Sequence, residues 1–465
     1  MSEVPRFIAV VDIGKTNAKM VLHDLNERHD LTVRSLANAP RRDGPYPHYD
    51  TDALFAFILE SLTEFAAAHP IDAISITAHG ASAVLIGEHD LALPVLDYEA
   101  ALEGAEGYEA LRPPFSETLS PPMANGLNVG RQLFWLQARF PERFAEARHI
   151  LTYPQYWAFR LTGIASCEPS SLGCHTDLWA PEQGDFSSLA DRAGWRELFA
   201  PVRRPFDVLG PLKPEWAEQI GLAGREIPVL CGIHDSNASL LPHLLALPAP
   251  FAVVSTGTWV VSFSIGGRKT ALDASRNMLA YVDAFGRPVP SALFMGGREF
   301  DILTNRAPAP PDEAALARVI EQGLMVRPPI VPNTGPFPEE QGGWSEPAED
   351  LSAMERTAAA SLYVALMTTE SLALIGANGP IVVEGPFARN LPFLRALGQL
   401  TGRPIFAPTD GTGTSAGAAL LALGPEVAVA GRPTEQPVDL APIMGLEAYV
   451  AKWRNALAEQ GDALP

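Results

Sequence analysis

Val11-Asp12-Ile13-Gly14-Lys15-Thr16-Asn17-Ala18-Lys19 lies near the amino end of the chain. The apolar run Phe7-Ile8-Ala9-Val10-Val11 leads into it, and Met20-Val21-Leu22-His23-Asp24 comes after it. This pattern predicts a strand, a tight turn and a second strand. Such a hairpin presents backbone N–H groups and short polar side chains to phosphate. A carboxylate at the strand end suits a divalent ion. An Asp-x-Gly turn by itself occurs in many settings, so its meaning depends on the rest of the chain.

A second cycle repeats the layout. Phe251-Ala252-Val253-Val254-Ser255 reads as a strand, Thr256-Gly257-Thr258 as a turn, and Trp259-Val260-Val261-Ser262-Phe263 as the returning strand. Around the first hairpin, apolar periodicity predicts a helix from Thr51 to His69 and strands at Ile71–Thr77, Val84–Ile86 and Leu93–Asp97. Further helices fit Arg131–Phe140, Pro141–Glu146 and Leu151–Leu161, the last ending at Gly163. Ile227–Ile233 is strand-like, and His234-Asp235-Ser236-Asn237 sits where a helix would begin. Around the second hairpin, a loop-rich insertion is expected from Thr304 to Leu351. A long helix should succeed it from Ala353 to Ile375, capped by Ser352 with Glu355 completing a capping box. Ile381–Val383 and Pro404–Phe406 read as strands, and Asn390–Gly402 and Gly413–Leu423 as helices. The expected organisation is two related α/β domains, 1–245 and 246–465, meeting near 243–250.

The 465 residues suit two or three domains, and a 47% hydrophobic content is that of a globular protein. With 54 acidic against 34 basic residues the formal charge is -20, which argues against a nucleic-acid partner. Local Lys or Arg residues can still serve an anionic ligand. Three scattered cysteines, Cys167, Cys174 and Cys231, suggest neither disulfides nor a zinc set. Met1-Ser2-Glu3-Val4-Pro5-Arg6 does not read as a secretory signal, and apolar runs such as Ile74–Ile86 are broken by polar residues. The expectation is a cytoplasmic protein with no membrane partner.

In order along the chain, these landmarks resemble the FGGY family of carbohydrate kinases within the actin-like ATPase superfamily. Asp12-x-Gly14-x-Thr16 resembles the first phosphate motif, and Ser255-Thr256-Gly257-Thr258-Trp259 the second. Gly232-Ile233-His234-Asp235 resembles the segment carrying the family's catalytic Asp. Ile381–Gly417 resembles the nucleotide-binding part of the second domain, and Pro154–Gly163 a helix end of the first. The resemblance spans roughly residues 6 to 424 and implies two actin-like (ribonuclease H-like) α/β domains with a central cleft. Gly232–Ser239 together with Ser255–Trp259 looks most like kinases for 6-deoxy-ketoses such as L-rhamnulose or L-fuculose. Three departures stand out: Lys15 where a small residue is usual, Glu384-Gly385-Pro386-Phe387 in place of a glycine run, and Gln155 where an acidic residue or Lys is common.

The resemblance implies ATP-dependent transfer of the γ-phosphoryl group to a hydroxyl of a small sugar, with ATP and Mg2+ bound. Asp235 would take the hydroxyl proton; an unperturbed Asp, pKa near ~3.9, is already ionised at neutral pH. A helix N-cap is the plainer role for that residue. Asp12 would hold Mg2+, or simply form a turn. Gly14 would allow close approach of phosphate and a positive φ, and Thr16 and Asn17 offer polar contacts. Lys15 would either touch phosphate or point to solvent, and Lys19 is either a ligand or a surface residue. Thr256, Gly257 and Thr258 would cradle phosphates, and Gly385, Pro386 and Asn390 would line the nucleotide pocket, with an N-cap as the alternative for Asn390. His79 and Gly80, Gln155 and Tyr156, His175 and Thr176, and His234 beside Asp235 would contact sugar, each with ordinary packing as the alternative. A homodimer is compatible with this reading. The competing function is a sugar- or nucleotide-binding regulator of the same fold with catalysis lost.

Overall fold

The computed structural model describes residues 4–88, 90–338, 342–407, 413–426 and 437–461. Met1–Glu3 and part of the expected 304–351 insertion lie outside the described residues, as do residues 408–412 within the Ile381–Gly417 segment. The chain forms two compact units. Unit 1 comprises Met1–Ala246, Ala280–Pro288 and Thr412–Ala430; unit 2 comprises Leu247–Leu279, Val289–Gly411 and Gly431–Pro465.

Unit 1 starts with β1 (Phe7–Ile13), β2 (Asn17–Asp24) and β3 (His29–Ala37), then α1 (Thr51–Ala68), β4 (Ala73–Ala78) and β5 (Ala83–Ile86). It continues with α2 (Val129–Arg139), β6 (His149–Thr152), α3 (Tyr153–Thr162), β7 (Val208–Pro211), β8 (Pro228–Leu230), β9 (Ile233–His234) and α4 (Asp235–Ala246). The main sheet runs β3-β2-β1-β4-β8-β7, with β9 also on β4. β1 is antiparallel to β2 and parallel to β4, and β4 is parallel to β8 and β9. β1 is apolar apart from Asp12 because both faces of the sheet are covered. Ala9, Val11 and Ile13 enter the large core with α1, while Ile8 and Val10 join a second cluster with Ala238, Leu241 and Ala418.

The helix Thr414–Leu420 belongs to that second cluster, and its Gly417 is needed there. A Cβ on Gly417 would lie 1.8 Å from the carbonyl oxygen of Ala238 in α4. Ser75 in β4 fixes the same helix by donating to the Ala418 carbonyl at 2.6 Å.

The second sheet and its helices comprise β10 (Phe251–Thr256), β11 (Val260–Ile265), β12 (Met278–Val282), β13 (Pro288–Phe294), α5 (Gly296–Leu303), α6 (Glu313–Gln322), α7 (Ala353–Leu374), β14 (Ile381–Glu384), α8 (Leu391–Thr401), β15 (Ile405–Phe406) and α9 (Leu446–Gly461), all in unit 2 except Ala280–Val282 of β12 and Pro288 of β13, which count with unit 1. The sheet runs β12-β13-β11-β10-β14-β15. β10 is antiparallel to β11 and parallel to β14, which is parallel to β15. Helix α7 carries the expected Ser352/Glu355 capping box. It is long and apolar enough to span a bilayer by composition, but 78% of its apolar window is buried inside the protein as a core helix.

Several local expectations are corrected. Leu93–Asp97 is no sheet strand: a single bridge at His48–Leu96 and bonds from Tyr49 to Val95 and Asp97 to Pro47 tie it to the 46–49 loop. Leu151 and Thr152 are extended in β6, paired with β5, so the helix begins at Tyr153. Ile227–Ile233 splits into β8 and β9 because Gly232 takes φ +85°. The 304–351 insertion contains α6. Its cap is Asp312, whose carboxylate accepts from the Ala315 N–H at 2.7 Å, and Gly323 at φ +69° stops it.

Candidate active site

The carboxyl ends of three neighbouring parallel strands collect the polar residues of unit 1. Register pairs Asp12 with Thr77, and Ile233 and His234 with Thr77 and Ala78. Asp12 near the end of β1, His79 just after β4 and Asp235 just after β9 therefore share one sheet edge. In open α/β sheets this is where ligands bind.

Asp235 is the first residue of α4, and its side chain is 31% exposed. Its Oδ1 accepts from the Ser236 N–H at 2.6 Å and the Ser236 hydroxyl at 3.3 Å. His234 Nε2 lies 3.2 Å from the same oxygen. The Asn237 amide nitrogen faces His234 Nδ1 at 3.3 Å, so Nδ1 accepts and the neutral ring carries its proton on Nε2. These bonds all go to Oδ1, leaving Oδ2 open among the described residues. Burial raises the Asp235 pKa above the ordinary carboxylate range, against the opposing pull of His79 and Ser236.

His79 is 5% exposed. Its Nδ1 lies 2.7 Å from the Gly80 carbonyl, which can only accept, so Nδ1 carries the proton. Nε2 is then an acceptor, and it is buried with no partner among the described residues. Burial depresses the imidazole pKa to about 4, so the ring is neutral at physiological pH. A buried acceptor left unpaired is costly, and a hydroxyl donor from a ligand would satisfy it. Gly80 permits this crowding, since a Cβ there would meet His234 Nε2 at 2.7 Å.

Asp12 is buried, and its Oδ2 accepts from the Ser415 hydroxyl at 2.8 Å. Burial pushes its pKa up to about 6; the Ser415 bond opposes this, the negative charge of Asp235 adds to it, and Lys19, its register partner across β2, pulls it back. No described group of three or more His, Cys, Asp or Glu side chains could hold a metal ion. A single enclosed carboxylate does fit Mg2+ carried mainly by phosphates and water, and a cation would relieve the charge that burial disfavours.

The turn between β1 and β2 is closed by the Gly14 N–H donating to the Asn17 carbonyl at 3.0 Å. Gly14 is not in the positive-φ region, contrary to expectation; it is required because a Cβ would lie 2.9 Å from the Asn17 carbonyl oxygen. Thr16 and Asn17 are exposed and bonded to each other at 3.1 Å, and Lys19 is exposed. Lys15 does not point freely to solvent. Its ammonium pairs with Asp97, lies 3.4 Å from Glu99, and sits over the rings of Tyr98 at 4.9 Å and Tyr49 at 5.3 Å.

Other expected sugar contacts have framework bonds. Gln155 is fully buried, accepting from Thr152 at 2.5 Å and donating to the carbonyls of Cys231 and Gly232 at 3.0 Å each, which fixes the turn before β9. Tyr156 is buried, with its hydroxyl accepting from Arg160 at 2.9 Å. The Thr176 hydroxyl donates to the Leu172 carbonyl and accepts from the Leu178 N–H at 3.0 Å. His175, at φ +57°, packs edge-on to Tyr281 with centroids 5.6 Å apart, and burial lowers its pKa to about 4. Behind β9, buried Glu168 accepts four bonds from Ser170 and Ser171, and the Ser170 hydroxyl accepts from the His234 N–H at 3.3 Å.

Unit 2 builds its turn from backbone. Gly385 takes φ +80°, and a Cβ there would lie 1.9 Å from the Thr256 carbonyl oxygen. The Thr256 hydroxyl donates to the Glu384 carbonyl and accepts from the Phe387 N–H at 3.1 Å, locking the two segments together. A Cβ on Gly297 would lie 1.9 Å from the Gly257 carbonyl oxygen, so three glycines meet at this edge. Thr258, Gly385 and Pro386 are exposed. Asn390 takes its alternative role: it caps α8 by accepting from the Phe393 N–H at 3.1 Å and donates to Ser361 at 2.9 Å.

Local sequence pattern does not point to Tyr49, Asp97, Tyr98 or Ser415 in this cluster. Ser415 lies in a helix readable only as small-residue packing, and Asp97 at the end of an apparent strand.

Two family models match the chain: the N-terminal domain of the FGGY family of carbohydrate kinases over residues 7–242, and the carbohydrate kinase FGGY C-terminal domain over residues 248–431. A carbohydrate kinase from Novosphingobium aromaticivorans is 36% identical, with a TM-score of 0.90 covering 98% of this chain and 99% of that one. The glycerol kinase of Plasmodium falciparum with ADP is 13% identical, with a TM-score of 0.79 over 98% of each chain, a likeness of fold alone. A rhamnulokinase from Halalkalibacterium halodurans is 26% identical over 267 residues, 54% of each chain. The chain thus spans about half the length of the curated relatives it matches.

Proposed function

Because the chain belongs to the FGGY family of carbohydrate kinases, we propose that it transfers the γ-phosphoryl group of ATP to a hydroxyl of a small sugar. The observation that carries this reading is Asp235, with Oδ1 tied down and Oδ2 open, beside the unpartnered acceptor on His79. In this mechanism His79 Nε2 accepts a hydrogen bond from one sugar hydroxyl and orients the ring or chain. Asp235 Oδ2 accepts from the hydroxyl to be phosphorylated. As that oxygen bonds to phosphorus and the bond to ADP breaks, its proton passes to Oδ2. The raised pKa of Asp235 makes its carboxylate a better proton acceptor. His234 is a positioning residue, holding Oδ1 from beneath.

Asp12 would hold Mg2+, which supplies charge neutralisation for the phosphates when bound. The β1–β2 turn would contribute Gly14, Thr16, Asn17 and Lys19 to phosphate binding. In unit 2, Thr256, Gly257, Thr258, Gly385 and Pro386 would offer backbone groups to the nucleotide.

For the acceptor we propose a ketose of the L-rhamnulose or L-fuculose kind. Support comes from the Gly232–Ser239 segment and from curated relatives that are rhamnulokinases. A coupled assay of ADP release, run with L-rhamnulose, L-fuculose, D-xylulose, L-ribulose and glycerol, tests both levels. Sugar-dependent release is expected, fastest with the 6-deoxy-ketoses. Binding without turnover across the whole panel would favour the regulator instead.

A further inference from the structure

Lys15 departs from the family pattern, and its surroundings suggest a different job from phosphate contact. The rings of Tyr98 and Tyr49 that lie under its ammonium also pack on His79, at centroid distances of 5.3 and 5.1 Å. His79 in turn feels the charges of both Lys15 and Asp235. One continuous patch therefore runs from Asp235 through His79 and the two tyrosines to Lys15 and Asp97, all within unit 1. Asp235, Tyr98 and Lys15, the last with a side chain 16% exposed, reach its surface. His79, Tyr49 and Asp97 lie buried beneath.

The patch has unused hydrogen-bonding capacity. Asp97 receives Lys15, the Tyr49 hydroxyl at 3.4 Å and the Glu99 N–H at 3.2 Å, all on Oδ1. Among the described residues Oδ2 receives none. The ammonium has three N–H groups and two carboxylate neighbours. Together with His79 Nε2, this leaves one donor and two acceptors of the patch without a partner among the described residues. The charge balance is negative: Lys15 is matched by Asp97 and Lys19 by Asp12, with Glu99 and Asp235 in excess. An acidic sugar would be repelled, whereas neutral hydroxyls would find partners of both kinds.

We propose that Lys15 and Asp97 form a specificity pair that selects a neutral polyhydroxy acceptor, Lys15 donating to one of its oxygens and Asp97 accepting from a neighbouring hydroxyl. This rests on the sugar-kinase reading above. The pair acts on binding, so it can be tested apart from turnover.

The test is titration calorimetry with L-rhamnulose, L-fuculose, D-xylulose, glycerol, D-gluconate and ADP, alongside steady-state kinetics. Lys15→Met should weaken binding of the best neutral sugar about 10-fold or more, as expected for a lost charged hydrogen bond, and leave the ADP constant within about two-fold. Lys15→Arg should recover part of the loss. Asp97→Asn should reduce discrimination against D-gluconate about 10-fold by freeing the ammonium. The double variant Lys15→Met/Asp97→Asn removes both charges, so folding is not burdened by a lone buried carboxylate, and it should still bind the neutral sugar weakly. Unchanged sugar binding in the Lys15 variants would overturn the proposal. So would weakened ADP binding in its place, tighter binding of D-gluconate than of every neutral sugar, or no neutral sugar bound by the wild type. Sugar binding altered as expected, with no ADP release by the wild type, would sink the phosphoryl-transfer reading and leave the pair standing.

Discussion

β1 in unit 1 and β10 in unit 2 hold the same place in their sheets: an antiparallel hairpin partner on one side, a parallel strand on the other. Their ends carry different chemistry. Near the end of β1 stands Asp12, on the same sheet edge as His79 and Asp235, which directly follow the adjoining strands β4 and β9. β10 ends with Thr256 and Gly257, pressed against Gly385 and Gly297 so closely that no Cβ fits. Unit 1 concentrates ionisable groups and leaves lone pairs open, whereas unit 2 exposes backbone and ties its hydroxyl into the framework. The repeated sheet thus accounts for position, and the residues after each strand divide the labour. Substrate chemistry fits the first edge, and the featureless grip that phosphate needs fits the second.

The sharpest way to break this division is Asp235→Asn. Turnover should fall at least ~100-fold while ADP binding by calorimetry stays within a few-fold, as expected when a proton acceptor is lost. A loss of ADP affinity of the same size would mean unit 1 grips the nucleotide as much as it handles the sugar. Gly385→Ala addresses the other edge. It forces a side chain into a left-handed backbone and against the Thr256 carbonyl. A cost of about 1–3 kcal/mol from the backbone alone should lower the urea midpoint, and ADP affinity should fall with it. Sugar affinity should hold.

His79→Phe keeps ring packing on Tyr49, Tyr98 and Tyr153 but deletes the open acceptor. The sugar KM should rise about 10-fold with the ATP KM little changed, in line with one lost hydrogen bond in a buried site. An unaltered sugar KM would return His79 to a packing role.

The smallest effect is a pH effect on Asp12. Its folded pKa of about 6 lies above the unfolded value near 3.8. Neutral Asp12 therefore favours the folded metal-free protein at low pH, and that contribution is lost as pH rises through about 6. Mg2+ needs the anion, so its affinity should weaken about tenfold from pH 7.5 to pH 5. Asp12→Asn should flatten both trends. A pH-independent Mg2+ affinity in the wild type would remove Asp12 from the ion site.

Both hairpins are legible in the sequence because each strand is a short apolar run closed by a glycine turn. The capping box of α7 is equally plain. Helix α6 escapes a first reading because Ala307-Pro308-Ala309-Pro310-Pro311 suggests loop, although Asp312 and the spacing of Ala315, Leu316, Val319 and Ile320 announce a helix. The site is half legible. Asp12, His79 and Asp235 lie at strand ends that local pattern predicts, while their roles come from the resemblance to the family. Lys15 does not, because its partner Asp97 is 82 positions away and is delivered by a loop bridge at His48–Leu96 that no periodicity encodes. Gln155 and Asn390 show the converse: polar residues near motifs that serve the framework.

The most direct test of the proposed chemistry is a structure of the protein with a sugar that it phosphorylates. The acceptor hydroxyl should lie within about 2.6–3.2 Å of Asp235 Oδ2, with a second hydroxyl on His79 Nε2. A sugar seated with its reactive hydroxyl out of reach of Oδ2, and that oxygen facing only water, would contradict it.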